Sequence, residues 1–117
     1  MKCILFLCSR NRLRSPTAEQ VFGDRTDLEV ASAGLNADSD VPCTAELVDW
    51  ADIIFVMERA HRSRLTRRFR RHLGRARVIC LDIADDYAFM DPALIALLHA
   101  RVDRHLPAGA RNPVKAA

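Results

Sequence analysis

The chain has 117 residues, half of them apolar and 28% charged, with a net charge of +3. That is the size and composition of one globular domain with one core. The apolar run after Lys2 is too short for a secretory signal or a membrane span, so a cytoplasmic protein without membrane contact is expected. Four cysteines, Cys3, Cys8, Cys43 and Cys80, have neither CxxC nor zinc-finger spacing. They are expected as thiols rather than disulfides or metal ligands.

In chain order, Lys2 to Leu7 is apolar and reads as a strand buried on both faces. Ser15 followed by Pro16 predicts a helix with Ser15 as its N-cap, ending near Gly23. Leu28 to Gly34 reads as a second strand, and Leu35 to Val41 as a polar loop. Pro42 to Trp50 is a short helix, for which Thr44 is an alternative cap. Asp52 to Met57 is the clearest buried strand. A helix follows to His72, with Leu65, Phe69 and Leu73 spaced by four and Gly74 in its C-cap region. Arg77 to Ile83 is the fourth strand. Asp91 caps a last helix, with Pro92 at its first position, running to about His105.

Strands alternating with helices predict a parallel sheet covered by helices on both faces, a single three-layer α/β domain over residues 1–106. The Pro-, Gly- and Ala-rich tail, 107–117, is expected to fray. In such sheets ligands bind beyond the carboxyl ends of the strands, where strand order reverses. Cys8 lies at one of those ends.

From Cys8 the chain reads Cys8-Ser9-Arg10-Asn11-Arg12-Leu13-Arg14-Ser15. A loop of successive backbone N–H groups running into a helix start holds a tetrahedral anion. Arg14 can add a bidentate contact to two phosphoryl oxygens. The same positive surroundings favour the thiolate of Cys8, the nucleophilic form, and Ser15 can donate a hydrogen bond to the sulfur. A phosphocysteine intermediate is the chemistry these parts permit.

The stretch "LFLCSRNRLRSPTAEQVF" resembles the low-molecular-weight protein tyrosine phosphatases, whose loop is Cys-x5-Arg-Ser entering Pro-x-Ala-Glu. "SAG" at Ser32 to Gly34 and "DIIFVME" at Asp52 to Glu58 are similar to that family's second and third strands, and a short, bacterial-type branch fits best. The resemblance implies a four-stranded parallel sheet and a phosphatase acting on phosphotyrosine. It assigns Cys8 as nucleophile, Arg14 as phosphate clamp, Ser15 as thiolate partner and Asn11 as a brace, with Ser9, Arg10, Arg12 and Leu13 completing the substrate-binding loop. Three positions depart from the pattern: Arg10 stands where the family usually has glycine, Arg12 where it has an apolar residue, and Leu13 where it often has a second cysteine. The first two suit a more anionic or less aromatic phosphoester.

The mechanism also needs a carboxyl group to protonate the leaving oxygen. The family carries it as Asp-Pro-Tyr, which is absent here; "LDIADDYAFMDP" offers Asp82, Asp85, Asp86 and Asp91. Asp91 is explained as a cap. Asp85 is preferred, because Asp85-Asp86-Tyr87 keeps an acid and the tyrosine, which would contact substrate; Asp82 is second.

No cofactor or metal is implied. The expected partner is a phosphorylated protein or a small phosphoester, nucleotides included. A different reading makes the acid-free run from Arg59 to Arg77, with its nine arginines, a nucleic-acid or phosphoprotein binding face with little catalysis. Arsenate reduction would need Cys43 or Cys80 to relay a disulfide, and is disfavoured. His61 and His72 read as surface residues, and His99 and His105 have no ligand partners at metal-binding spacing. The oligomeric state is not encoded legibly.

Overall fold

Alternation along the first strand sets the architecture. In a computed structural model describing residues 2–107, β1 (Lys2–Cys8) points Ile4, Phe6 and Cys8 to one side and Leu5 and Leu7 to the other, and all five are buried. β1 pairs in parallel with β2 (Leu28–Gly34) on one edge and β3 (Ile53–Val56) on the other; β4 (Arg77–Cys80) pairs with β3. The strand order is β2-β1-β3-β4. The chain leaves β1 toward one edge and then crosses to the other, so the crevice of order reversal opens at the carboxyl end of β1.

Helices α1 (Arg14–Phe22) and α4 (Pro92–Val102) cover one face, where Phe6 stacks against Phe22 and Phe55 at centroid distances of 5.6 and 5.3 Å. Helices α2 (Ala45–Trp50) and α3 (Arg59–Phe69) cover the other with Val48, Leu65 and Phe69. Each fully buried Leu, Ile or Phe contributes about 1.5–3 kcal/mol relative to exposure. The two cores lock β1 from both sides, and Cys8 inherits that rigidity.

Local signals explain most boundaries. Thr44 caps α2 by accepting from Leu47 N at 3.2 Å, which starts the helix at Ala45 rather than Pro42. Asp91 caps α4 by accepting from Ala93 N at 2.9 Å. Both long helices tighten before their predicted ends: α3 stops at Phe69 and α4 at Val102, each followed by one 3-10 turn. Gly74 therefore lies beyond the helix end, whose C-cap is Arg70. The fourth strand ladder ends at Cys80, because Asp82 adopts a left-handed φ of 57° that breaks the pleat. Leu81 and Ile83 still donate to Val56 O and Met57 O, both at 2.8 Å, and carry the chain along the end of β3.

The N-cap expected at Ser15 is corrected. Helix α1 begins at Arg14 with Leu13 at its N-cap, and Ser15 lies inside the first turn with its hydroxyl turned to Cys8. The predicted tail lies, beyond Pro107, outside the described residues. Among the described residues no helix is long and apolar enough to cross a membrane.

Candidate active site

The loop after β1 closes around the sulfur of Cys8. Asn11 takes a left-handed φ of 57°, a conformation asparagine tolerates better than most residues, and this turns its backbone N–H onto Cys8 Sγ at 3.2 Å. Ser15 Oγ lies 2.9 Å from the same sulfur and 2.9 Å from Asn11 Oδ1. Cys8, Asn11 and Ser15 are all buried, so these contacts are shielded from water.

The loop is fastened from behind by the segment after β2. Leu35 N donates to Cys8 O at 2.9 Å, Asn36 N to Ser9 O at 2.8 Å, and Ser39 Oγ to Ser9 O at 3.0 Å. This close seating needs a glycine at position 34. A Cβ there would fall 2.1 Å from Ser39 Oγ and 2.8 Å from Ser9 O.

Arg14 is 3% exposed, and two acceptors and one ion-pair contact hold its guanidinium. Nη1 donates to Glu58 Oε2 at 2.5 Å and to Ile83 O at 2.8 Å, while Nε faces Asp85 Oδ1 at 3.6 Å. The hydrogen bond from Arg14 holds the Glu58 carboxyl below its ordinary range.

His61 was expected at the surface, yet it is 3% exposed and belongs to this network. Its Nδ1 accepts from Glu58 N at 3.1 Å, which leaves the ring proton on Nε2 to be donated to Ser9 Oγ at 3.0 Å. Burial, and then the charge of Arg14, push the ring down to about 4. The ring is therefore neutral in the folded chain at pH values where an unfolded histidine takes up a proton. Above pH 6.5 neither state binds that proton; as pH falls toward 4 only the unfolded state does, so stability drops through that window. Urea titrations are expected to show a loss of about 2–3 kcal/mol between pH 6.5 and 4. In His61→Gln this part of the slope should vanish, and a wild-type curve that is flat over the window would contradict the assignment.

A cavity of about 290 Å³ opens above the sulfur, lined by Cys8, Ser9, Arg10, Arg12, Leu13, Arg14 and Asp85. The first strand's end and the loop after β4 thus bring seven sequence-selected residues to one space, with Asn11 and Ser15 beneath them. Asp82 and Tyr87 do not line it. Asp82 is exposed with its carbonyl accepting from Arg101 at 2.6 Å, and Tyr87 packs against the core on the α1 side. The segment carrying Asp85 is pinned at both ends: Ile83 N donates to Met57 O, and Met90 N to Thr17 Oγ1 at 2.9 Å. Arg12 at the mouth pairs with Asp40 at 3.6 Å, both side chains being exposed.

Glu58 and His61 are the site residues that sequence reasoning missed. The available signal was topological, since Glu58 follows the end of β3, the neighbour of β1 at the crevice, with His61 one helical turn later. Among the described residues no group of three or more His, Cys, Asp or Glu side chains could hold a metal ion.

No family model and no curated protein matches the chain in sequence. Solved structures do match in three dimensions. YwlE arginine phosphatase from Geobacillus stearothermophilus superposes with a TM-score of 0.74 at 22% identity, covering 90% of each chain. The tyrosine phosphatase AmsI from Erwinia amylovora gives 0.73 at 23% identity over 94% of each chain. A low-molecular-weight phosphotyrosine phosphatase from Vibrio cholerae O395 gives 0.71 at 17%, covering 88% of this chain and 93% of that one. The fold is that of the low-molecular-weight tyrosine phosphatases. Within this low-molecular-weight phosphatase fold, the cavity over Cys8 occupies the crevice at the carboxyl end of the sheet.

Proposed function

We propose that this chain hydrolyses phosphate monoesters, phosphotyrosine on a protein foremost, through a phosphocysteine on Cys8. The observation that carries the reading is a buried sulfur receiving the Asn11 N–H and touching the Ser15 hydroxyl, beneath a cavity walled by a clamped Arg14 and by Asp85. Cys8 as thiolate attacks phosphorus: the S–P bond forms, the P–O ester bond breaks, and the acid form of Asp85 gives its proton to the leaving oxygen. Water then attacks phosphorus, Asp85 takes a proton from it, the P–S bond breaks, and inorganic phosphate leaves with the thiolate restored. The Ser15 hydroxyl, rotating its proton from Asn11 Oδ1 to the departing sulfur, stabilises its charge. Arg14 and the loop N–H groups carry the charge on the equatorial oxygens in both steps.

Asp85 is preferred over Asp82 because it alone of the two faces the cavity and approaches Arg14. Ser9, Arg10, Asn11, Arg12 and Leu13 shape the loop and its mouth. A phosphoarginine residue would bring a second guanidinium group toward Arg10 and Arg12, which favours tyrosine as the leaving group. Disulfide relay, as arsenate reduction requires, is not supported: Cys43 and Cys80 belong to the core on the opposite sheet face from Cys8. Reduced thiols are what a cytoplasmic setting maintains, and that is the location we infer.

A second reading keeps the chemistry and takes small or nucleotide phosphoesters, favoured by the two arginines at a mouth that no aromatic side chain lines among the described residues. Comparison of kcat/KM across a phosphotyrosyl peptide, an aryl phosphate and nucleoside monophosphates decides between them. The peptide is expected to lead by at least about tenfold, because extra contacts outside the cavity add binding that only a polypeptide offers. Nucleotides matching or exceeding the peptide would transfer the assignment to small phosphoesters.

A further inference from the structure

A second cleft, of about 570 Å³, lies on the α3 side and is lined by Leu35, Arg64, Arg67 and Arg68. It is the larger of the two openings and shares a wall with the phosphate loop, since Leu35 and Asn36 are the residues that donate to Cys8 O and Ser9 O. Arg64 spends one guanidinium nitrogen on Asn36 Oδ1 at 2.7 Å, and Arg68 one on Leu35 O at 2.8 Å, its guanidinium lying 5.0 Å from the Phe69 ring. Both groups are thus held in place with further N–H donors unspent. The side chain of Arg67 has no hydrogen-bond or ion-pair partner among the described residues, and none of the three arginines pairs with a carboxylate there.

Three guanidinium groups with unneutralised charge, two of them anchored, form a receptor for carboxylates, and anchoring lowers the ordering cost of binding. We infer that the Arg64–Arg67–Arg68 cleft docks an acidic segment of the phosphoprotein substrate, flanking the phosphorylated residue whose phosphate enters the loop over Cys8. The inference rests on the phosphatase reading for what occupies that loop. Nucleic acid fits the cleft less well. Phe69 is buried and no aromatic side chain lines the cleft among the described residues, so it offers no face for base stacking, and Arg75, farther along the arginine run, is neutralised by Asp52.

The test uses two phosphotyrosyl peptides that differ only in having glutamate or serine flanks, with an aryl phosphate as control, on the wild type, Arg67→Ala and Arg67→Glu. At low salt the wild type is expected to favour the glutamate peptide about five- to tenfold in kcat/KM, chiefly through KM. Arg67→Glu should abolish or reverse that preference while leaving the aryl phosphate rate unchanged. Equal kcat/KM on both peptides in the wild type would overturn the docking. A wild type that hydrolyses none of the three substrates would instead overturn the phosphatase reading. Docking is then read separately, from amide shift changes around Arg67 when an unphosphorylated glutamate peptide is titrated into the 15N-labelled chain; absent changes overturn it. Tighter binding of a single-stranded oligonucleotide than of the peptide in that titration would overturn the choice of occupant.

Discussion

Cys8→Ser is expected to lower turnover of an aryl phosphate by at least about 10⁴-fold, the scale on which removing an essential nucleophile acts. The serine hydroxyl can occupy the volume of the sulfur and keep the contacts of Asn11 N and Ser15 Oγ, so phosphate should still bind. Arg14→Ala should cost about 10²–10³-fold, as loss of a preorganised donor to a developing oxyanion does, and should weaken phosphate binding as well. It also leaves the Glu58 carboxylate and the Ile83 carbonyl without their shared donor. Arg14→Lys should rescue little, because one ammonium cannot span Glu58, Ile83 and the phosphoryl oxygens together. Circular dichroism of each variant separates lost chemistry from lost folding. A Cys8→Ser protein with an undiminished rate would remove the nucleophile assignment altogether.

The second large effect concerns the proton. Asp85→Asn is expected to reduce kcat/KM, which reports the first, leaving-group step, by about 10²–10³-fold on an unactivated phenyl phosphate, where the departing oxygen needs a proton. On p-nitrophenyl phosphate the loss should be smaller, since nitrophenolate leaves without one. Asp82→Asn should stay near the wild-type rate on both, its side chain lying outside the cavity. The reverse ranking of the two variants would move the acid to Asp82. The leaving-group dependence is the discriminating measurement, because a mere packing defect would slow both substrates equally.

Legibility followed the range of the interactions involved. The strands were readable because β1 and β3 are buried on both faces and carry uninterrupted apolar runs. The loop from Cys8 to Arg14 was readable because its parts are contiguous. Ser15 misled for the same reason, since Ser-Pro is a local capping signal, whereas the hydroxyl is spent on a sulfur seven residues back. Glu58, the N-cap of α3, and His61, in its first turn, were hidden at the start of an arginine-rich helix, where sequence offers only a solvated face; their contacts to Arg14 and Ser9 span 44 and 52 residues. Which of Asp82 and Asp85 faces the cavity turns on where the fourth strand ladder breaks. A left-handed backbone at Asp82 decides that, and its composition does not announce it.

The placement of the four cysteines has a chemical consequence for the chain's life under oxidant. A thiolate oxidised to sulfenic acid is commonly preserved by condensing with a neighbouring thiol. Here Leu13 occupies the loop position where such a thiol could sit, Cys43 and Cys80 belong to the far face of the sheet, and Cys3 begins the same strand about 17 Å away at ordinary strand rise. A sulfenic acid at Cys8 therefore has no resolving thiol within its own fold. Its recovery would depend on a small thiol entering through the arginine-lined mouth; where such thiols run short, continued exposure to peroxide is expected to carry Cys8 on to the sulfinic and sulfonic acids, which no thiol reverses.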